Sequence, residues 1–267
     1  MMVKGFWGAL RIDLQRAFRL PFWLCSIWIA AIHIHSVWLS MVDAYGSVVA
    51  VYNEAVTVEN YMQGLIPVLV STVFSTAFLD DYQSEYYRFH LLRSNRTQYI
   101  GAKLSVCAIS AFLCMWLGLA LFLLAARIRF PLFSAEDIER SLNIGYALNG
   151  CALLQAGHPF MYLLTAITLR SIAMMLWPLC AMAVSVYVSN RFVVLGAPWL
   201  LDYAIGAFES IALQIPYGKR FLEFTTGSAS FADPIMAWGQ LLIRYIPSIT
   251  LCAVLFFVGA QRRLKNG

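Results

Sequence analysis

Charge is what this sequence has least of. Only 12% of its 267 residues are Asp, Glu, Lys or Arg, against 61% hydrophobic. Soluble domains carry about 25% charged and about 45–50% apolar residues. The imbalance excludes an ordinary soluble enzyme, a disordered tail and a small disulfide-stapled domain. No CxxC occurs among the six cysteines at 25, 107, 114, 151, 180 and 252. Five of the six fall in apolar runs, where a thiol behaves as a small buried hydrophobe. HExxH, GxSxG and Asp-rich prenyl-phosphate patterns are all missing. So is GxxxxGK followed by Ser or Thr. Gly101-Ala-Lys103 lacks both the phosphate-cradling loop and the hydroxyl partner, so P-loop binding of ATP by this chain is excluded. The net charge is +5, yet no Lys/Arg-rich tract reads as a nucleic-acid footprint. A cleavable signal peptide is not expected. The first apolar run is too long for an h-region, and no small-residue cleavage site follows it.

Long apolar runs are what the chain has instead. A lipid core ~30 Å thick needs ~20 apolar residues per helix. Six stretches meet or approach that length: 22–42, 62–79, 104–126, 160–188, 192–213 and 241–260. The second carries Gly64 and Pro67. The fourth has an ill-marked start between Phe160 and Ser171. Pro198, Asp202 and Glu209 interrupt the fifth, and Arg244 and Pro247 the sixth. Residues 4–20 are different. Lys4, Gly8, Arg11, Gln15 and Arg19 recur every three or four positions, with Phe6, Trp7, Leu10, Leu14, Ala17 and Phe18 opposite. That period makes an amphipathic helix lying in the interface, its basic face toward anionic headgroups. Pro21 then turns the chain into the first span. The expected fold is an all-α polytopic membrane protein, one transmembrane domain over 1–267, with an N-terminal amphipathic helix and six transmembrane helices.

Basic residues set the orientation. With the N-terminus inside, twelve of the 19 Lys and Arg lie on the inner side and seven at the outer side. Residues 43–60 hold no Lys or Arg at all. The positive-inside rule places both termini in the cytoplasm. The segments 127–159 and 214–237 then lie outside. In the first, Ser134-Ala-Glu-Asp137 resembles a capping box and predicts a short surface helix through Ile138, Leu142 and Tyr146. The second is a plain loop or a re-entrant element.

Few residues carry chemistry. His33 and His35 are two apart on a helix, about 200° around it, so they cannot jointly face one metal. Asp202 falls near mid-span, where a carboxylate is expensive. It lines a substrate route, pairs with Arg170 or Arg244, or sits in a solvated vestibule. His33, His35 and Asp202 are the candidates for a substrate route. The inner loop between the second and third spans says more. Tyr82, Tyr86, Phe89 and Arg93 recur at helical spacing, Glu85 and Arg88 are three apart, and Ser94-Asn95 breaks the helix. A cytoplasmic helix over 81–93 with aromatic knobs and charges suits a lever pressed into a soluble partner. An ordinary juxtamembrane helix is the alternative. Asp80, Asp81 and Glu85 face the basic N-terminal helix in topology, and an Arg16–Asp81 ion pair would stiffen such a lever.

The order of these parts resembles the membrane-spanning permease subunit of type-2 ABC exporters. That family has an N-terminal elbow helix, six spans with both termini inside, and a coupling helix between spans two and three. The stretch after the coupling helix reads Leu-Leu, Arg, Tyr-Ile, Lys. Here Glu85, Leu91-Leu92, Arg96, Tyr99-Ile100 and Lys103 occur in that order. Ser189-Asn190 resembles the turn after span four only loosely. The Gly-Thr that many members carry after the acidic residue is replaced by Tyr86-Tyr87-Arg88. The resemblance implies that two permease chains pair, as homodimer or heterodimer, above cytoplasmic ABC ATPase subunits. ATP and Mg would belong to the ATPase, and this chain would hold no cofactor and no metal. Asp81, Tyr82, Glu85, Tyr86, Arg88, Phe89 and Arg93 would couple to the ATPase, and Arg11, Arg16 and Arg19 would belong to the elbow. The implied location is a bacterial plasma or inner membrane, in contact with lipid and not with nucleic acid. The aromatic content of 15% and the uncharged first span suit an amphipathic or lipid-like cargo such as a peptide, antibiotic or glycolipid. A six-span enzyme acting on lipid is the alternative reading, with Asp202 and a histidine as its thin starting point.

Overall fold

The computed structural model describes residues 2–39, 46–57, 62–92, 94–134, 152–212 and 234–266, which form helices and short connections with no strand among them. In chain order these are α1 (Met2–Ala17), α2 (Leu20–Leu39), α3 (Val48–Thr57), α4 (Ile66–Thr72) after a 3-10 turn at Gln63–Leu65, α5 (Ala77–Gln83) and α6 (Tyr87–Leu91). They continue with α7 (Arg96–Arg129), α8 (Ala152–Gln155), α9 (Pro159–Met174), α10 (Leu176–Ser185), α11 (Arg191–Ala212) and α12 (Pro234–Asn266). Four stretches are long and apolar enough to cross a membrane: Leu20–Trp38, Arg96–Arg129, Pro159–Ser185 and Tyr245–Lys265. The pair α4 and α5, bent by 43°, would make a fifth.

The core is built around α7, which packs against α1, α2, α9 and α12. Its 34 residues reach roughly 51 Å at ~1.5 Å per residue, beyond both ends of the expected span 104–126. Asn95 starts it with a capping box closed by Gln98, at the break expected from Ser94-Asn95. Against α2 the approach is close. A β-carbon on Gly118 would lie 2.7 Å from Ile29 Cγ2 and 3.0 Å from the Ser26 carbonyl oxygen. Ser26 Oγ donates to the carbonyl oxygens of Phe22 (3.0 Å) and Cys114 (3.2 Å) at this crossing. On α2 the buried face holds Cys25, Ser26, Ile29, His33 and Ser36, while Trp23, Trp28 and Trp38 are exposed. Small and polar residues inside with large apolar ones outside is the arrangement of a helix solvated by lipid.

Three expectations need correction. The second span is not one straight helix. Ser71 and Thr72 donate their hydroxyls to the carbonyls of Pro67 and Leu69, both at 2.7 Å, and Ser75 does the same to Ser71. Such back-bonding bends helices, and the chain turns between α4 and α5. Within 43–60, which the topology reads as an outer loop, residues 48–57 are helical. Val48, Val51, Tyr52 and Ala55 repeat at helical spacing and are buried on α3, whose first turn is capped by Ser47 Oγ accepting from Ala50 N (3.2 Å). The fifth run does not break at Pro198, since α11 runs 22 residues through it. The capping-box helix around Ile138 and most of 214–237 lie outside the described residues.

Candidate coupling site

The helix expected as the elbow is α1, and its buried stripe is Ala9, Leu10, Asp13 and Ala17. Three of these are apolar, as amphipathic spacing requires, and one is a carboxylate. Asp13 is fully buried because Lys103, from the first third of α7, meets it: Nζ lies 2.8 Å from Asp13 Oδ1. The same ammonium lies 2.7 Å from Asp81 Oδ2. Tyr99, one turn earlier on α7, donates its hydroxyl to that oxygen at 3.0 Å. Arg16 completes the group, 2.8 Å from Asp81 Oδ1 and 3.5 Å from Asp13 Oδ1. Two carboxylates and two cations from α1, α5 and α7 thus form a neutral quartet in which Asp13, Asp81 and Lys103 have almost no exposure. Burial opposes the Arg16 charge, but Asp81 and Asp13 more than offset it, so the guanidinium pKa stands above its ordinary value.

The stretch expected as one helix over 81–93 is two pieces. α5 ends at Gln83, and Glu85 takes a left-handed φ of 57° before α6 begins at Tyr87. The expected line Tyr82, Tyr86, Phe89 is therefore broken. Tyr82 stays inside, stacked on Tyr87 (5.4 Å between centroids) and covered by the Arg263 guanidinium 4.2 Å from its ring. Tyr86, Arg88, Phe89 and Leu92 face outward, Phe89 at 65% and Leu92 at 83% exposure. Arg88 pairs with Glu85 at 3.1 Å on the surface. His90 is buried with Nε2 unpartnered, edge-on to Tyr86, and burial lowers its pKa. Arg93 lies outside the described residues.

Other segments converge on the α5 end of this stretch. Arg191, at the start of α11, lies 2.8 Å from Asp80. Gln83 donates to the Ser189 carbonyl at 2.9 Å. Arg263, in the last turn of α12, donates to the carbonyls of Ser185 (3.1 Å) and Val186 (2.8 Å) and to Ser189 Oγ (2.9 Å). It caps the end of α10 with a cation, the sign that end of a helix favours. Arg11 and Arg19 are exposed on and just after α1. His33 and His35 diverge, as their spacing requires: His33 is buried with Nδ1 2.8 Å from the Ile29 carbonyl oxygen, and His35 is exposed. Asp202 is half-buried on α11.

Asp13 was the residue missed as a partner. Its signal was its place four residues after Ala9 and four before Ala17, on the apolar stripe. Tyr99 and Lys103 entered only through the family resemblance; their local signal is the i, i+4 spacing that stacks them on one face of α7. Fold and site together define an all-helical protein with several helices of membrane-spanning length and apolarity, and a buried ionic hub at one end. Comparison with protein families, curated proteins and solved structures finds no match to the chain.

Proposed function

We propose that this chain is the permease subunit of an ATP-driven ABC exporter, in the plasma or inner membrane of a bacterium. Its six spans are α2, the bent pair α4 and α5, α7, α9 with α10, α11 and α12, and both termini are cytoplasmic. A separate cytoplasmic ATPase binds ATP and Mg, a second permease chain completes the pore, and the cargo is amphipathic or lipid-like. One observation carries the reading. A short helix, α6, holds Arg88, Phe89 and Leu92 out from the protein, while the segment entering it is fixed to the elbow and to α7 by the buried quartet. Exposed aromatic and arginine side chains on a rigid mount are what a socket in a soluble partner grips. A push on α6 would pass through Asp81 into α1 and α7 together, so the elbow and the third span would move with the lever.

The test is a gentle-detergent pull-down from the native membrane with mass spectrometry of the co-purifying chains. The expected result is a stoichiometric soluble ATPase that is lost from the Arg88→Glu/Phe89→Ala variant. Recovery of this chain with no nucleotide-binding partner under every mild condition overturns the proposal.

A further inference from the structure

Two cavities meet on the elbow. A polar cleft of about 550 Å³ lies between α1, the lever base and the start of α11, lined by Arg16, Arg19, Asp80, Arg191 and Gln15 among others. A largely apolar groove of about 470 Å³ runs along α1 over Trp7, Leu10, Leu14 and Phe18, with Arg11 and Gln15 also lining it. Gln15 lines both, so they adjoin as a two-sided depression on α1, polar on the Arg16 and Arg19 flank of the helix and apolar on the Leu14 and Phe18 flank. From Trp7 to Phe18 the groove follows the helix for roughly 16 Å.

The charges in the cleft do not cancel. Arg16 is engaged by Asp81 and Arg191 by Asp80, each at 2.8 Å, which leaves Arg19 as the surplus cation of the cleft, and Arg11 adds a second in the groove. Arg191 is 60% exposed and spends one nitrogen on Asp80, so other N–H groups of its fork remain for an anion. Surplus cations beside a long apolar helix face match an amphiphile whose headgroup is an anionic phosphodiester. We infer that this depression binds one anionic glycerophospholipid, its phosphate at Arg19 and Arg191 and an acyl chain along Trp7, Leu10, Leu14 and Phe18. The inference rests on the membrane placement proposed above and not on the ATPase partner. Its consequence is regulatory. A phosphate held by Arg191 competes with Asp80 at the lever base, so the lipid composition of the inner leaflet bears on how firmly α5 is tied to α11.

The experiment is native mass spectrometry of the full chain in mild detergent with equimolar phosphatidylglycerol and phosphatidylcholine of identical chains. The expected ratio of bound phosphatidylglycerol to phosphatidylcholine is fivefold or more, about fivefold being the factor one basic residue near a membrane surface contributes. Arg19→Gln/Arg191→Gln is expected to bring the ratio to about one. Gln15→Glu, at an exposed position outside both ion pairs, is expected to lower the ratio at least about twofold and controls for loss of fold. Glycerol phosphate at the same concentration, a headgroup without chains, is expected to displace little lipid. Equal retention of the two lipids by the unmodified chain overturns the inference. So does undiminished selectivity in both variants, or displacement by glycerol phosphate as effective as by lipid. The ATPase pull-down reads Arg88 and Phe89 instead, so either proposal can fail while the other stands.

Discussion

Replacing Lys103 with Met tests whether the quartet is an electrostatic unit. The ammonium is fully buried, 2.8 Å from one carboxylate and 2.7 Å from the other. Methionine is close in length and apolar volume, so packing changes little. Charge changes more. The group goes from neutral to −1, Asp13 keeps only Arg16 at 3.5 Å, and Asp81 keeps Arg16 and the Tyr99 hydroxyl. Removing one partner of a buried pair strands the other charge and costs about 3–5 kcal/mol. Adding Asp13→Asn removes the stranded charge and leaves Arg16–Asp81 balanced, so the double variant is expected within about 1–2 kcal/mol of the parent, the scale of the hydrogen bonds still missing. The assay is unfolding of the purified protein in detergent with increasing SDS, followed by tryptophan fluorescence. A Lys103→Met loss under about 1 kcal/mol refutes the reasoning, and so does a double variant no better than the single one. The network also changes the outcome of a swap. Arg16→Asp with Asp81→Arg sets an arginine beside Lys103, so the rescue that a simple pair would show is expected to be partial.

Three further outcomes follow from local geometry. Gly118→Ala places its β-carbon 2.7 Å from Ile29 Cγ2 and 3.0 Å from the Ser26 carbonyl oxygen, so a loss of about 1–3 kcal/mol is expected in the same unfolding assay; an unchanged midpoint would mean the α2–α7 crossing is not tight. Glu85 at φ 57° makes Glu85→Gly neutral or stabilising by up to about 1 kcal/mol and Glu85→Val destabilising. A continuous helix through 81–93 would make Gly the more damaging change, because its helix propensity is far below that of Glu. His90 has a pKa below the ordinary 6.5. The unfolded chain therefore binds the proton first, and the folded state loses stability as pH falls below that value. Unfolding at pH 8 and 5.5 should show this fall, reduced in His90→Gln; equal slopes in both proteins would assign the proton elsewhere.

Much of this architecture was legible because lipid and helix impose strong periodicities. The amphipathic period of α1, the break before Asn95 and the divergence of His33 from His35 all follow from residue spacing. So does the placing of Arg16 opposite Asp81, since topology brings the elbow to the start of the inner loop. The features that were not legible have short-range or three-body causes. The bend between α4 and α5 comes from hydroxyls turning back on carbonyls one turn earlier, and Ser and Thr occur in straight apolar helices as well. The break at Glu85 has no Gly or Pro to announce it, and the heptad-like line Tyr82, Tyr86, Phe89 reads as continuous. The third party to the Arg16–Asp81 pair, Lys103, lies in an apolar helix where a lone cation has no stated partner until α1 is folded against it.

The position of that cation bears on how motion would travel. Lys103 is seven residues into a helix of 34, and two carboxylates from two other helices hold it. A single ion pair between α1 and α5 would let α7 slide past them, whereas a shared ammonium ties all three. Tilting α5 without α7 must stretch the 2.7 Å contact between two buried side chains, which raises the cost of relative motion far above that of an exposed pair. On the surface the opposite holds: Arg88–Glu85 is mostly solvated, and such pairs are worth ~0–1 kcal/mol. Rigid inside and solvated at its tip, the α5–α6 segment would move as one body with α1 and α7 under the proposed function.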